Sequence, residues 1–158
     1  MSDTKKLTKL GSEKTKYYDK PSIDILETFD NQHLDNLYLV PFTQERDEFT
    51  SLCPMTRQPD HAKLEIIYIP EVKMVESKSL KLYLFSFRNT GEFHEDVCNR
   101  IAKDLFKVMK PKYLRIYGDF APRGGLAIKP LIEMWGTSEK GTVKKIKFLV
   151  NSWDTKNK

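Results

Sequence analysis

Cys53 and Asp60 lie seven positions apart in the stretch Leu52-Cys53-Pro54-Met55-Thr56-Arg57-Gln58-Pro59-Asp60. Proline has no N–H and a fixed φ, so two prolines at this spacing break helix and strand alike and predict a shaped loop. Cysteine, as the thiolate, is a strong soft nucleophile. Aspartate holds or delivers a proton when its surroundings favour the acid form. A nucleophile and an acid on one loop suit covalent attack on an electrophilic carbon whose neighbouring atom must then be protonated. On residue types alone the commoner outcome is blander: a buried structural cysteine, with Asp60 as a turn residue.

The elements that must position this loop are legible as patterns. Residues 34–43 are rich in β-formers and predict a strand. Residues 62–69 alternate and end at Pro70, which predicts a second strand paired with the first, the Cys53 loop being a long excursion between them. Such connections in small domains are usually functional. Residues 80–88 alternate like a strand, yet Leu80, Tyr83, Leu84 and Phe87 also fall at helical spacing, so periodicity leaves this segment open. Residues 95–109 predict a helix with Val97, Ile101, Leu105 and Val108 as its apolar stripe, stopped by Pro111. Residues 113–120 and 126–135 read as two further strands, turned at Pro122-Arg123-Gly124-Gly125. With 80–88 helical, the order is an α+β pattern, the helices grouped on one face of an antiparallel sheet. Beyond Gly136 a strand and a short helix fit equally. Residues 1–20 are polar and Lys-rich and read as a flexible tail, leaving 21–158 as a single domain.

Composition narrows the class. The chain has 158 residues, 39% hydrophobic and 31% charged, which suits a soluble globular protein. No run approaches the roughly 18 apolar residues of a membrane helix, and the N-terminus lacks the apolar centre of a secretory signal. Two cysteines, Cys53 and Cys98, make no disulfide framework, and a reducing cytoplasm is the expected location. The net charge of +5 accompanies lysines gathered near the two ends, with acidic residues interspersed and no repeating alternation of aromatics with basic residues, so direct nucleic-acid binding is not expected.

Two further groups of residues carry possible chemistry. His94 and Glu95 open the second helix, where a carboxylate complements the helix dipole in any case. Lys78, Lys81 and Arg123 are cations of the kind that hold phosphates, although a solvated helix face and a hairpin turn explain them too. No GxGxxG follows a strand, so a Rossmann site is not indicated. His33, His61 and His94 form no H-x-H pair, the cysteines form no C-x-x-C pair, and no catalytic metal is expected.

Four motifs stand in order: residues 52–60, residues 76–83 (ESKSLKLY), residues 87–96 (FRNTGEFHED) and residues 122–125 (PRGG). Together they resemble the QueF family, the NADPH-dependent 7-cyano-7-deazaguanine reductases of queuosine biosynthesis, in its short single-module branch. The resemblance runs from about Leu34 to Trp135. It implies a helix at 80–88 and a tunnelling fold, in which a four-stranded antiparallel sheet carries two helices on one face and closes into a barrel with other subunits. It implies reduction of the nitrile to the aminomethyl base with two NADPH, through a thioimidate on Cys53 protonated by Asp60. Glu95 would then accept hydrogen bonds from the guanine-like edge of the base and His94 would lie against it. Val75, Glu76 and Ser77 would line the same pocket, contributed by a neighbouring subunit. Lys78, Lys81, Arg123 and Gly124 would hold NADPH. One residue departs from the family pattern: Arg57 stands where glycine is expected, which requires a rearranged loop if that position has a positive φ. The rival readings are a tunnelling-fold enzyme on another pterin- or purine-like ring, and a basic RNA-associated module without catalysis. Cys98 reads as a partly buried helix residue.

Overall fold

In the computed structural model, Thr8 and residues 16–157 are described. The expected N-terminal tail falls mostly outside them. Near its end, the Tyr17 ring lies 4.7 Å from that of Phe85, and Tyr18 packs against the core.

The central element is the longest strand. Strand β4, Pro59–Ile69, pairs antiparallel with β6, Tyr113–Phe120, over eight registered positions from Ala62↔Phe120 to Ile69↔Tyr113. On its other edge β4 holds two short strands end to end: β2, Val40–Thr43, beside Glu65–Tyr68, and β3, Phe49–Leu52, beside Pro59–Ala62. Strand β7, Leu131–Trp135, completes the five-stranded sheet beyond β6. A separate ribbon pairs β1, Thr28–Asp30, with β5, Lys73–Val75.

Several expectations need correction. The strand expected over 34–43 occupies only Val40–Thr43. The excursion after it is not one loop, because β3 returns to the same edge of β4. Asp60 lies within β4, not in the loop, and Pro59 is tolerated as the strand's first residue. The strand expected over 126–135 begins only at Leu131, after Pro130. The open segment 80–88 is helical: α1 spans Ser77–Phe85 and a 3₁₀ turn follows at Ser86–Asn89. Its Leu80, Tyr83 and Phe87 are buried on one side, as the helical spacing requires. The undecided C-terminal segment is an eighteen-residue helix, α3, Lys140–Asn157.

Helix α2, His94–Met109, buries Val97, Ile101 and Leu105 completely, with Val108 packed at the margin. It ends where Lys110 takes a left-handed conformation, φ 47°, ahead of Pro111. Helices α1 and α2 cover one face of the sheet, against Leu64, Ile66, Tyr68, Leu114, Ile116 and Phe120. Each such side chain contributes about 1.5–3 kcal/mol on full burial. Side chains alternate along a strand, so Ile69 and Tyr113 face the other way. There they meet Ile146 and Val150 of α3. The sheet therefore carries helices on both faces, not on one.

Candidate active site

The Cys53 loop is the turn between β3 and β4, closed by the backbone. Cys53 N–H donates to Gln58 O at 2.9 Å and Arg57 N–H to Cys53 O at 3.0 Å. Arg57 turns the chain at φ 60°, the left-handed region that glycine enters freely; another residue pays roughly 1–2 kcal/mol there. A second set of bonds anchors the loop's entrance. Leu52 N–H donates to Thr90 O at 2.9 Å, and Glu92 N–H to Leu52 O at 3.2 Å. This short parallel bridge, Leu52↔Gly91, fixes the nucleophile's loop to the segment that leads into α2. His94 and Glu95 are thereby delivered beside it.

Two side chains converge on the buried Asp60. Arg123 Nη2 lies 2.7 Å from Asp60 Oδ1 and His94 Nε2 3.1 Å from the same oxygen. The imidazole is held flat on Phe120, ring centroids 4.1 Å apart and planes 17° from parallel. Arg123 also donates to Gln58 O at 3.1 Å and Pro59 O at 3.0 Å, which binds the Pro122–Gly125 turn to the end of the loop. Gly124 and Gly125 make that turn with φ 57° and 81°. Ser51, the cross-strand partner of Asp60, is fully buried, and its hydroxyl has no partner among the described residues.

The Cys53 sulfur sits in a field of donors. The Thr56 hydroxyl, then the backbone N–H groups of Thr56 and Met55, lower its pKa from an ordinary 9.0 to about 7, with Arg123 adding to the shift. At neutral pH the thiolate, which is the nucleophile, is therefore well populated. Sequence reasoning missed Thr56, because only the folded turn brings its hydroxyl back to the cysteine three residues before it.

The remaining expected site residues fall in two places. Glu95 is exposed on the first turn of α2, one residue from His94. Val75 and Glu76 are buried at the junction of β5 and α1, where Glu76 caps the helix by accepting from the N–H groups of Lys78 and Ser79 at 2.8 and 2.7 Å. Ser77 and Lys81 line a groove of about 420 Å³ along α1, with Phe42, Gln44, Leu80 and Leu84 among its walls. Lys78 is half-buried on the same helix. The structure thus joins Cys53, Asp60, His94 and Arg123 in one cluster and sets the α1 residues in another. A separate hollow of about 450 Å³, with Arg115, Trp153 and Asp154 in its wall, contains none of the expected site residues. Among the described residues, no three His, Cys, Asp or Glu side chains converge as a metal-binding group. No helix among them is long and apolar enough to cross a membrane.

A cysteine thiol on the β3–β4 turn, the Asp60 carboxyl group on β4 and the His94 imidazole on α2 are thus brought close together, and the chain can be compared with known proteins. Residues 59–139 match the family model described as QueF-like protein. The chain belongs to the QueF-like family. An NADPH-dependent 7-cyano-7-deazaguanine reductase of Neisseria meningitidis serogroup C is 61% identical over 121 residues, 77% of this chain and 76% of that protein. The enzyme of the same name from Bacillus cytotoxicus is 58% identical over 128 residues, 81% of this chain and 76% of that protein. Among solved structures, the apo archaeosine synthase QueF-Like superposes with a TM-score of 0.53 at 18% identity, covering 64% of this chain and 94% of that one. That likeness supports the QueF fold alone. Helix α3 begins where the matched segment of the family model ends.

Proposed function

We propose that this QueF-family chain is a nitrile reductase that converts 7-cyano-7-deazaguanine to 7-aminomethyl-7-deazaguanine with two NADPH. The observation that carries the reading is the Cys53 thiol, held near pKa 7 on a turn that leads directly into β4, where the buried Asp60 lies 3.1 Å from His94 of α2. In this reading the Cys53 thiolate attacks the nitrile carbon. One C–N π bond breaks and the nitrogen takes a proton from Asp60, giving a thioimidate on sulfur. NADPH supplies two hydrides in succession, one to the thioimidate and one to the imine left when the C–S bond breaks. Thiolate suits both halves because it attacks well and leaves well. His94, 3.1 Å from Asp60 and stacked on Phe120, is placed to pass a further proton to the same carboxyl group.

Glu95 is assigned to the guanine-like edge of the base, since a carboxylate accepts paired N–H donors well. Phosphates of NADPH are assigned to Lys78, Lys81 and the Arg123–Gly124 turn. Cations fit an anionic cofactor, and the Arg123 side chain, though it holds Asp60, is 35% exposed. Among the described residues, Val75, Glu76 and Ser77 share no hydrogen bond with the Cys53 cluster, which supports a site completed by a second copy of the chain. The sheet's β7 side offers a means: Leu126 and Leu131 are 71% and 59% exposed along it. An apolar unpaired edge gains by pairing with another subunit, and such pairing would close the sheets into a barrel. A reducing cytoplasm would keep both cysteines, free here, as thiols.

The test is direct. The protein should oxidise NADPH only when given the cyano-deazaguanine. Without NADPH, intact-protein mass spectrometry should show one substrate added, and Cys53→Ala should remove both the adduct and the turnover. An adduct on Cys98 would overturn the assignment.

A further inference from the structure

Arg57 holds a backbone conformation that glycine would adopt without strain, and it keeps a long cationic side chain there. Strain of this kind persists where the surroundings impose it, and it gathers at functional sites. Its guanidinium is placed by the same bridge that fixes the active-site loop. A Cβ on Gly91 would meet Arg57 Nη1 at 2.7 Å and Pro54 Cα at 3.3 Å, so the side chain lies across the Gly91 backbone next to the residue that follows Cys53. The side chain is exposed, and among the described residues its guanidinium has neither a hydrogen-bond nor an ion-pair partner. Arg123, the other arginine of the cluster, is by contrast committed to Asp60 and to two carbonyl oxygens of the loop.

We infer that Arg57 is a cofactor-binding residue peculiar to this chain's catalytic loop, where it binds a phosphate of the dinucleotide cofactor. The inference rests on the nitrile-reductase reading. Hydride must reach a carbon bonded to Cys53, so the nicotinamide would have to lie over the Cys53 loop. The pyrophosphate would then follow one ribose away, a separation that an arginine side chain on the same loop could span. A guanidinium offers paired donors in a plane that matches two phosphate oxygens, and its binding needs no deprotonation at any working pH. Gly91 leaves room for it: any side chain there would collide with the guanidinium as placed.

The experiment uses the full chain and three readouts: direct titration of NADPH, steady-state KM for NADPH, and the rate of adduct formation with the nitrile in the absence of cofactor. Arg57→Gly removes the cation and relieves the positive φ, so its melting temperature should not fall. NADPH affinity should drop by roughly tenfold to a hundredfold, the share of one charge-assisted hydrogen bond. Arg57→Lys should recover part of it, and the loss should narrow in high salt. Adduct formation should be unchanged, because that step precedes cofactor use. Unchanged NADPH affinity in Arg57→Gly would overturn the inference. So would adduct formation falling in step with affinity, since Arg57 would then be a strap that shapes the loop. A wild-type protein that binds NADPH through Arg57 but transfers no hydride to the nitrile would uphold this inference while sinking the reductase reading.

Discussion

Cys53 and Cys98 are the same side chain in opposite surroundings. Cys53 lies in a proline-broken turn, half-exposed, with hydroxyl and amide donors around its sulfur, and its pKa falls to about 7. Cys98 is wholly buried on α2 beneath the sheet, where burial, and then the charge of Glu95, push its thiol up to about 12. One is poised to be a thiolate; the other stays a thiol and acts as a small hydrophobe. The difference teaches that the loop's donors, not the element sulfur, make the nucleophile. The same holds for the acid. Asp60 acts through what holds it: Arg123 from a distant turn and His94 from the start of α2, both on one oxygen.

The most severe way to break that contrast leaves the sulfur in place and removes the acid. Asp60→Asn keeps the size of the side chain and an oxygen for Arg123 to hold, so the fold should survive, as circular dichroism and thermal melting would show. Turnover should fall by about a hundredfold to ten-thousandfold, the usual contribution of a positioned general acid. Near-normal turnover at neutral pH would mean that Asp60 serves only the turn.

The buried cysteine is tested by crowding it. A Cβ at Gly118 would lie 2.8 Å from Cys98 Sγ and 2.9 Å from the Phe120 ring. Gly118→Ala should therefore destabilise by about 1–3 kcal/mol through overpacking. Cys98→Ala on the same background should restore part of the loss, a coupling expected of atoms in contact. Additive effects in denaturant unfolding would show that Cys98 and Gly118 do not meet. Phe120 also carries His94, so the crowded variant should lose some turnover, and the double variant should regain it in part.

How much of this was legible without coordinates depends on how local each feature is. Helix α2 was plain because Val97, Ile101 and Leu105 repeat at one spacing, and Pro111 marks its end. Cys53 and Asp60 were legible as a pair because their motif is short and continuous. Segment 80–88 was not: Leu82 and Leu84 complete an alternating pattern that a helix buries only in part. Helix α3 escaped because its buried Ile146 and Val150 stand among lysines 144, 145 and 147 and the exposed Phe148, which leaves a narrow apolar stripe. Strands β3 and β5 are four and three residues long, too short to show a period. Least visible was the grip of Arg123 on the loop, since its partner Gln58 is 65 positions away and only the folded sheet brings the two together. The resemblance pointed to position 57 as unusual. The structure shows how the chain accommodates it, with an arginine in a glycine's conformation.

The smallest effect expected is also the one that most sharpens the contrast between the two sulfurs. The Thr56 hydroxyl is the largest single cause of the lowered Cys53 pKa. Thr56→Val removes that donor but leaves the backbone N–H groups, so the midpoint should rise from about 7 toward the ordinary 9.0 without reaching it. The sign follows from the thiolate being the reactive form. Reactivity grows as pH rises through the midpoint, so a higher midpoint means less thiolate at neutral pH and slower attack. Alkylation of Cys53 followed against pH, with Cys98 as an unreactive internal control, reads this shift directly. At neutral pH the variant should alkylate and form its nitrile adduct several-fold more slowly. The two rates should converge above the variant's midpoint, where both proteins are thiolate, with any residual gap reflecting the greater intrinsic nucleophilicity of the more basic sulfur. An unchanged midpoint would show that the amides of Met55 and Thr56 are sufficient, and that the hydroxyl does no more than close the turn.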